Sequence, residues 1–301
     1  MIDLDRAQGA VLGLATGDAV GTTLEFKPRG TFEPITDMVG GGPFGLQPGQ
    51  WTDDTAMALA LADSLIACGG HNPDDQLDRY VRWWTHGETS CTGACFDIGT
   101  TVRGALQTYL DTGNPASGPT DPRTAGNGSI MRLAPVVLAY APDRQATLDA
   151  AAASSLPTHG APEAVDACRV LAEILLRALN GADRGLALAP IAGPRVSNGL
   201  AEIAQGTYRT KTAEQIRGTG YVVESLEAAL WCVATTGSFE DAILRAANLG
   251  DDADTTAAIA GQVAGALYGA SGIPPHWLDQ LAWRDRLTET ADRLVALELA
   301  A

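Results

Sequence analysis

An all-α fold, laid out as one globular multi-helix domain over residues 1–301, is what this sequence predicts, and three observations carry the prediction. Apolar residues recur at helical spacing in segment after segment, whereas the alternation a strand needs never persists. Alanine is abundant and aromatics are only 6% of the chain, a composition suited to helices packed through small side chains. Two segments carry glycine at every fourth position, Gly9-Gly13-Gly17 and Gly261-Gly265-Gly269. In a helix that spacing puts the glycines on one face and lets another backbone come close. Each interior glycine costs about 1 kcal/mol relative to alanine, so tight packing has to offset it.

The first helix is expected over 5–19 and bears the first glycine stripe. Helical periodicity then runs over 54–68, 74–85, 98–111, 128–140, 144–155, 161–180, 196–205, 221–235 and 239–248. The second striped helix follows over 254–270, and a last one over 284–299. Turn-rich stretches separate them: Gly40–Gly49, Gly69–Pro73, Thr112–Gly126, Leu156–Pro162 and Gly269–Pro275. The two striped helices are expected to pack on each other at the centre. No low-complexity linker divides the chain.

A net charge of −16 repels a phosphate backbone, so broad nucleic-acid binding is not expected. A small anionic ligand in one pocket stays compatible with it, because cations and helix termini reverse the sign locally. The 5 cysteines (Cys68, Cys91, Cys95, Cys168, Cys232) are odd in number and scattered, which points to a reducing compartment. The Cys91/Cys95 pair has no histidine cluster near it and reads as small thiols rather than a zinc site. The N-terminus MIDLDRAQGA has no basic leader and apolar run, so no signal peptide is expected. The least polar stretch, Thr255–Ile273, contains Gln262 and glycines and reads as a buried core helix rather than a membrane span. A cytoplasmic protein is expected; the oligomeric state is open.

Carboxylates crowd two helix starts. Gln50-Trp51-Thr52-Asp53-Asp54-Thr55 follows a Gly/Pro loop and precedes the apolar run Ala56–Leu65, and Asp251-Asp252-Ala253-Asp254-Thr255-Thr256 precedes the second striped helix. Helix capping accounts for one side chain at each junction. It does not account for so many. If both junctions face one cleft, Asp53, Asp54, Asp252 and Asp254 come together, and each like-charge contact at about 4 Å costs roughly 4 kcal/mol at an effective dielectric near 20. Such a site must protonate or recruit cations. Two divalent ions balance the charge, and an Asp/Thr oxygen set selects hard ions, Mg²⁺ or Mn²⁺, over zinc.

The ordered motifs extend along nearly the whole chain: Gly9–Ala19 with Glu25-Phe26, Thr52-Asp53-Asp54-Thr55, Asp97-Ile98-Gly99 and Gly126-Asn127-Gly128-Ser129-Ile130-Met131-Arg132. Thr158-His159, Gly220-Tyr221-Val222-Val223-Glu224 and Asp252-Ala253-Asp254-Thr255-Thr256 follow. In these motifs and their order the chain resembles the ADP-ribosylglycohydrolases, the family that includes the dinitrogenase-reductase-activating glycohydrolases and ADP-ribosylarginine hydrolases. The resemblance implies an all-helical fold and a binuclear Mg²⁺ or Mn²⁺ centre. It implies cleavage of ADP-ribose from its acceptor at the anomeric carbon of the distal ribose. Thr52, Asp53 and Asp54 would then serve one metal, Asp252, Asp254 and Thr255 the other, with Asp254 bridging. Glu25 corresponds to a mobile-loop glutamate that approaches the metals.

Glycoside cleavage passes through an oxocarbenium-like state that carboxylates stabilise, while divalent ions orient the ribose diol and ease deprotonation of water. Asp252 or Glu25 is expected to activate water, and Asp97 to bind the ribose or the leaving group; as an alternative, Asp97 caps the helix beginning near Ile98. The Gly126–Ser129 turn is expected to receive the diphosphate, through its glycines and the start of the helix that follows. Met131 belongs to the same motif and counts with it as substrate-binding. Tyr221 is expected to stack on adenine and His159 to line the pocket.

Three departures from the family pattern stand near the acceptor side. Asp251 replaces a glycine, Thr158-His159-Gly160-Ala161 lacks a second histidine, and the loop His86–Phe96 is longer. They argue against nitrogenase reductase as target and leave the metal motifs intact. The leading expectation is a hydrolase for ADP-ribosylated arginine on protein. The alternatives are the same chemistry on serine-, O-acetyl- or nucleobase-linked ADP-ribose, and a non-catalytic, toxin-neutralising ADP-ribose-binding protein.

Overall fold

The computed structural model describes residues 2–191 and 196–299, and among them helices and short 3₁₀ turns are joined by loops, with isolated β-bridges but no strand. The helices are α1 (Leu4–Gly21), α2 (Asp53–Cys68), α3 (Pro73–His86), α4 (Thr100–Thr112), α5 (Ala134–Tyr140), α6 (Arg144–Ser155) and α7 (Pro162–Leu179). After them come α8 (Arg184–Ala187), α9 (Asn198–Ala204), α10 (Val222–Ala234), α11 (Phe239–Ala247), α12 (Ala253–Tyr268), α13 (Pro275–Gln280) and α14 (Arg284–Val295). The all-α expectation holds. No helix among the described residues is long and apolar enough to cross a membrane.

The expected central pair is present: α1 packs along α12, glycine face to glycine face. A Cβ on Gly9, Gly13 or Gly17 would collide with the backbone carbonyl of Gly265, Gly261 or Ala257, and one on Gly261 or Gly265 with that of Gly13 or Gly9. The contact is backbone on backbone, closer than any side chain permits. Gly269 ends α12 at φ +76, a left-handed conformation that glycine adopts freely, and its backbone still lies against Gly9 of α1. Residues Gly9–Gly21 of α1 and Ala253–Leu267 of α12 are buried throughout, as expected of helices apolar on every face. α2, α5, α7, α10, α11 and α14 surround the pair, and their apolar faces join one continuous core.

Two expected helix starts move. The helix placed over 128–140 begins at Ala134, because residues 127–133 form turns in which Ile130 and Met131 N–H donate to the Asn127 carbonyl. The helix placed over 98–111 begins at Thr100, behind Gly99 as its N-cap residue. Short helices α8 and α13 arise where only turns or no element were expected, since each spans fewer residues than the hydrophobic period needs to show itself.

Adding a methyl group to the central seam forces two backbones apart. Gly13→Ala is expected to lower unfolding free energy by about 1–3 kcal/mol. Gly237→Ala, where an added Cβ meets no atom within 4 Å, should change it by less than about 0.5 kcal/mol. Urea denaturation of the two variants beside the parent checks the difference.

Candidate metal and substrate site

The α1–α12 seam points its C-terminal end of α1 and N-terminal end of α12 at the start of α2, and the carboxylates gather where these three ends meet. Asp53 and Asp54 occupy the first turn of α2, and Asp254 the first turn of α12. Thr52 and Asp252 stand at the N-cap positions, yet neither side chain makes a capping hydrogen bond to its own helix. Asp18 of α1 does that for α2 instead, accepting the N–H groups of Thr52 (2.8 Å) and Thr55 (3.0 Å). Capping therefore does not explain the expected ligands.

Two groups of carboxylates, Asp18/Asp54/Asp254 and Glu25/Asp97/Asp254, each bring their oxygens within 4.8 Å of one another. Asp254 belongs to both. The Thr52 hydroxyl lies beside them, 3.1 Å from Asp54 Oδ2 and 3.5 Å from Asp254 Oδ2. Asp54 Oδ1 and Glu25 Oε2 are buried and have no hydrogen-bond partner. Buried lone pairs left without donors, in a set of oxygens with no histidine or cysteine, fit hard divalent cations. Asp53 and Asp252 lie outside both close groups and line the cavity in front of them, as does Thr255. Asp252 Oδ2 accepts from Asn127 Nδ2 at 2.7 Å, and the same amide donates to Ser225 Oγ at 3.1 Å. Thr255 N–H donates to Asp254 Oδ1 at 2.8 Å.

Burial and crowding disfavour charge on these carboxyls. Desolvation raises Asp18 to about 6; desolvation and then the Asp18 charge raise Asp97 to about 7; desolvation and then the Asp97 charge raise Glu25 to about 9. Asp53, Asp54 and Asp254 are held well above the usual carboxylate range, burial again leading, followed by Asp97, Asp18 and Glu25 respectively.

Glu25 and Asp97 come from loops that the fold pins down. Phe26 N–H donates to the Asp251 carbonyl (2.7 Å) and Asp251 N–H to the Lys27 carbonyl (2.8 Å), tying the Glu25 loop to the segment before α12. The Phe44 ring sits between those of Phe26 (6.4 Å) and Phe96 (5.1 Å), linking that loop to the one carrying Asp97. Asp251 has φ +55, which explains why the family pattern has glycine there; aspartate is among the residues that tolerate it. Asp97, at φ +59, precedes the first residue of α4 by more than a cap allows, so the capping alternative fails for it as well.

A cavity of about 1520 Å³ opens over these groups. Gly126, Asn127, Gly128, Met131 and His159 line its far wall, as expected. The helix-start part of the diphosphate expectation is corrected, because no helix begins until Ala134. The glycines meet a protein group rather than open space: a Cβ on Gly128 would lie 2.7 Å from His159 Cε1, and one on Gly126 3.3 Å from His159 Nε2. His159 is buried, its Nδ1 2.9 Å from Thr158 Oγ1, and burial followed by the Arg132 charge lowers it to about 3, so the ring is neutral. Ser129 and Tyr221 are not brought to the cavity wall. Ser129 is buried with an unpartnered hydroxyl, and Tyr221 is 40% exposed and donates its hydroxyl to Glu163 Oε2 at 2.7 Å.

The sequence reading missed two groups. Asp18 showed only as one more residue of an apolar helix, and its signal, a carboxylate inside a run of buried small residues, was there to be used. Arg29, Arg103 and Arg217 reach the cavity from segments far apart in the chain, with no local pattern to join them.

Comparison with known proteins agrees with this geometry. The ADP-ribosylglycohydrolase family model matches residues 1–300. ADP-ribosylarginine hydrolase Tri1 of Pseudomonas putida (strain GB-1) is 51% identical over 291 residues, 97% of this chain and 78% of that protein. ADP-ribosyl-[dinitrogen reductase] glycohydrolase of Rhodospirillum rubrum is 32% identical, covering 97% of this chain and 96% of its own. A solved structure described as an ADP-ribosylglycohydrolase-related protein complex superposes with a TM-score of 0.88 at 42% identity, over 98% of this chain and 99% of that one. With its seam of helices, its buried oxygen cluster and these likenesses in view, the chain belongs to the ADP-ribosylglycohydrolase family.

Proposed function

We propose that this protein, acting as one domain over 1–301, removes ADP-ribose from arginine side chains of modified proteins, with two Mg²⁺ or Mn²⁺ ions at the Asp54/Asp254 cluster. The observation that carries the reading is the pair of carboxylate groups sharing Asp254, with buried oxygens that lack donors. The relatives named for ADP-ribosylarginine hydrolysis, at about half identity, support arginine as acceptor. Five free cysteines suit a reducing compartment such as the cytoplasm.

Thr52, Asp53, Asp54, Asp252, Asp254 and Thr255 would hold the cations, which when bound supply Lewis acidity and orient the ribose hydroxyls. Asp252 is fixed in direction by Asn127, and Glu25 is fixed by its loop; either carboxylate is placed to take a proton from the attacking water. Asp97, in one close group with Glu25 and Asp254, would bind the ribose or the leaving guanidine. His159 and Met131 line the same cavity and would pack against the bound sugar. The cavity is larger than the roughly 300–1,000 Å³ typical of small-ligand sites, leaving room for a nucleotide sugar with part of its acceptor.

Turnover of arginine-, serine- and nucleobase-linked ADP-ribose, each with Mg²⁺, Mn²⁺ or chelator, tests the proposal. Cation-dependent release from arginine is expected. Release that survives chelator overturns the metal part, and release confined to another linkage overturns the acceptor. Asp252→Asn should cut turnover by about 100-fold or more while thermal melting stays near the parent's; full activity would reduce Asp252 to a structural role.

The raised carboxyls also set a pH dependence. Between their ordinary values and about 6, 7 and 9 for Asp18, Asp97 and Glu25, the folded state binds more protons than the unfolded one. Stability then falls as pH rises through that window. In chelator, melting temperature should drop from about pH 5 to about pH 9, and added Mn²⁺ should restore more at the upper end than at the lower. A flat chelator profile measured by calorimetry would contradict it.

A further inference from the structure

Asp18 is wholly buried in α1, and both of its carboxylate oxygens are used twice. Oδ1 accepts Thr52 N–H (2.8 Å) and the Thr52 hydroxyl (2.8 Å), and Oδ2 accepts Thr55 N–H (3.0 Å) and the Thr55 hydroxyl (2.6 Å). The Thr52 oxygen faces two other carboxylate oxygens on its far side, Asp54 Oδ2 at 3.1 Å and Asp254 Oδ2 at 3.5 Å.

A hydroxyl has one proton and two lone pairs. Here three carboxylate oxygens compete for that proton. Asp18 Oδ1 is the nearest of them, and it is held in place by a backbone N–H that cannot turn away. With the proton directed to Asp18 and with Asp54 and Asp254 ionised, the lone pairs of Thr52 point at those two carboxylates, and three oxygens converge with no hydrogen between them. That arrangement is repulsive by itself and suits a cation.

We infer that Asp18 is a positioning residue: it accepts the hydrogen bond of the Thr52 hydroxyl, which turns the Thr52 lone pairs toward a divalent cation at Asp54 and Asp254, and it anchors the start of α2 on α1. Asp18 stands close enough to Asp54 and Asp254 to be a ligand itself, but to become one it would have to give up a hydrogen bond to the start of α2. The inference rests on the metal reading above.

A double-mutant cycle read by Mn²⁺ binding tests it, using electron paramagnetic resonance of free Mn²⁺ with no substrate present. Asp18→Ala, Thr52→Val and the double variant are compared with the parent. Asp18→Asn runs in parallel in case the alanine variant does not fold, and thermal melts in chelator monitor folding. Asp18→Ala is expected to weaken Mn²⁺ binding at least about tenfold, as loss of a group orienting a ligand does. In the Thr52→Val background the same change should cost less than about threefold, because the hydroxyl it orients is gone. Thr55→Ala, which removes a hydrogen bond to the same carboxylate without touching Thr52, should bind Mn²⁺ nearly as the parent does. Additive effects in the cycle, or Thr55→Ala weakening Mn²⁺ as much as Asp18→Ala, overturn the inference alone. So does failure of both Asp18 variants to fold, which would make the residue a folding determinant. A parent that takes up no Mn²⁺ overturns the metal reading with it.

Discussion

Mutual repulsion among buried carboxylates is the constraint that organises this molecule. Asp18 and Asp54 are fully buried, Asp254 and Glu25 nearly so, and among the described residues none is paired with an arginine or lysine. Unlike charges would have relieved the strain at modest cost; like charges in a dry place must be held together by everything else. The α1–α12 seam does the holding. Its backbone-to-backbone contact leaves the two helices no room to slide, so the ends that carry Asp18 and Asp254 cannot separate without opening the core. The expensive glycines and the expensive carboxylates are thus parts of one device.

The loops obey the same constraint from outside. Phe26, Asp97 and Asp251 each occupy the left-handed region, where a non-glycine residue is strained, and all three sit at the cluster. Backbone hydrogen bonds between Phe26, Lys27 and Asp251, together with the edge-on and tilted ring contacts of Phe44 with Phe26 and Phe96, hold that strain in place. Glu25 and Asp97 therefore reach the site as a pair, since moving one loop disturbs the aromatic contact that seats the other.

Much of this was legible in the sequence, and the limits have physical causes. The glycine stripes announced the central pair because only a close backbone approach repays interior glycine, and the two aspartate clusters announced the site because capping needs one side chain. The class of fold followed from period alone. What failed was local. The start of α5 was placed early because Ser129–Leu133 has helical composition while its backbone turns on Asn127. Nothing local told that the side of Gly126 and Gly128 where a Cβ would stand faces the His159 ring. Asp18 stood inside the Gly9–Ala19 motif with no role legible there, because its partners, Thr52 and Thr55, lie more than thirty positions away. The three cavity arginines are joined only by the fold.

Charge also links binding to the cations. The protein carries −16 overall, and acidic side chains outnumber Arg29, Arg103 and Arg217 among the residues lining the cavity. A diphosphate-bearing ligand entering that cavity alone meets repulsion from the wall that must later act on its ribose. The histidine nearest the turn gives no help, because burial keeps it neutral. Cations held at Asp54 and Asp254 would change the sign there, and Arg29, Arg103 and Arg217, exposed residues of the cavity lining, carry the charge opposite to a diphosphate. A ligand that binds better beside the cations must, by reciprocity, make the cations bind better too. On the proposed reading the acidic wall would disfavour a nucleotide without cations, and with them its remaining carboxylates would suit a cationic acceptor such as a guanidinium.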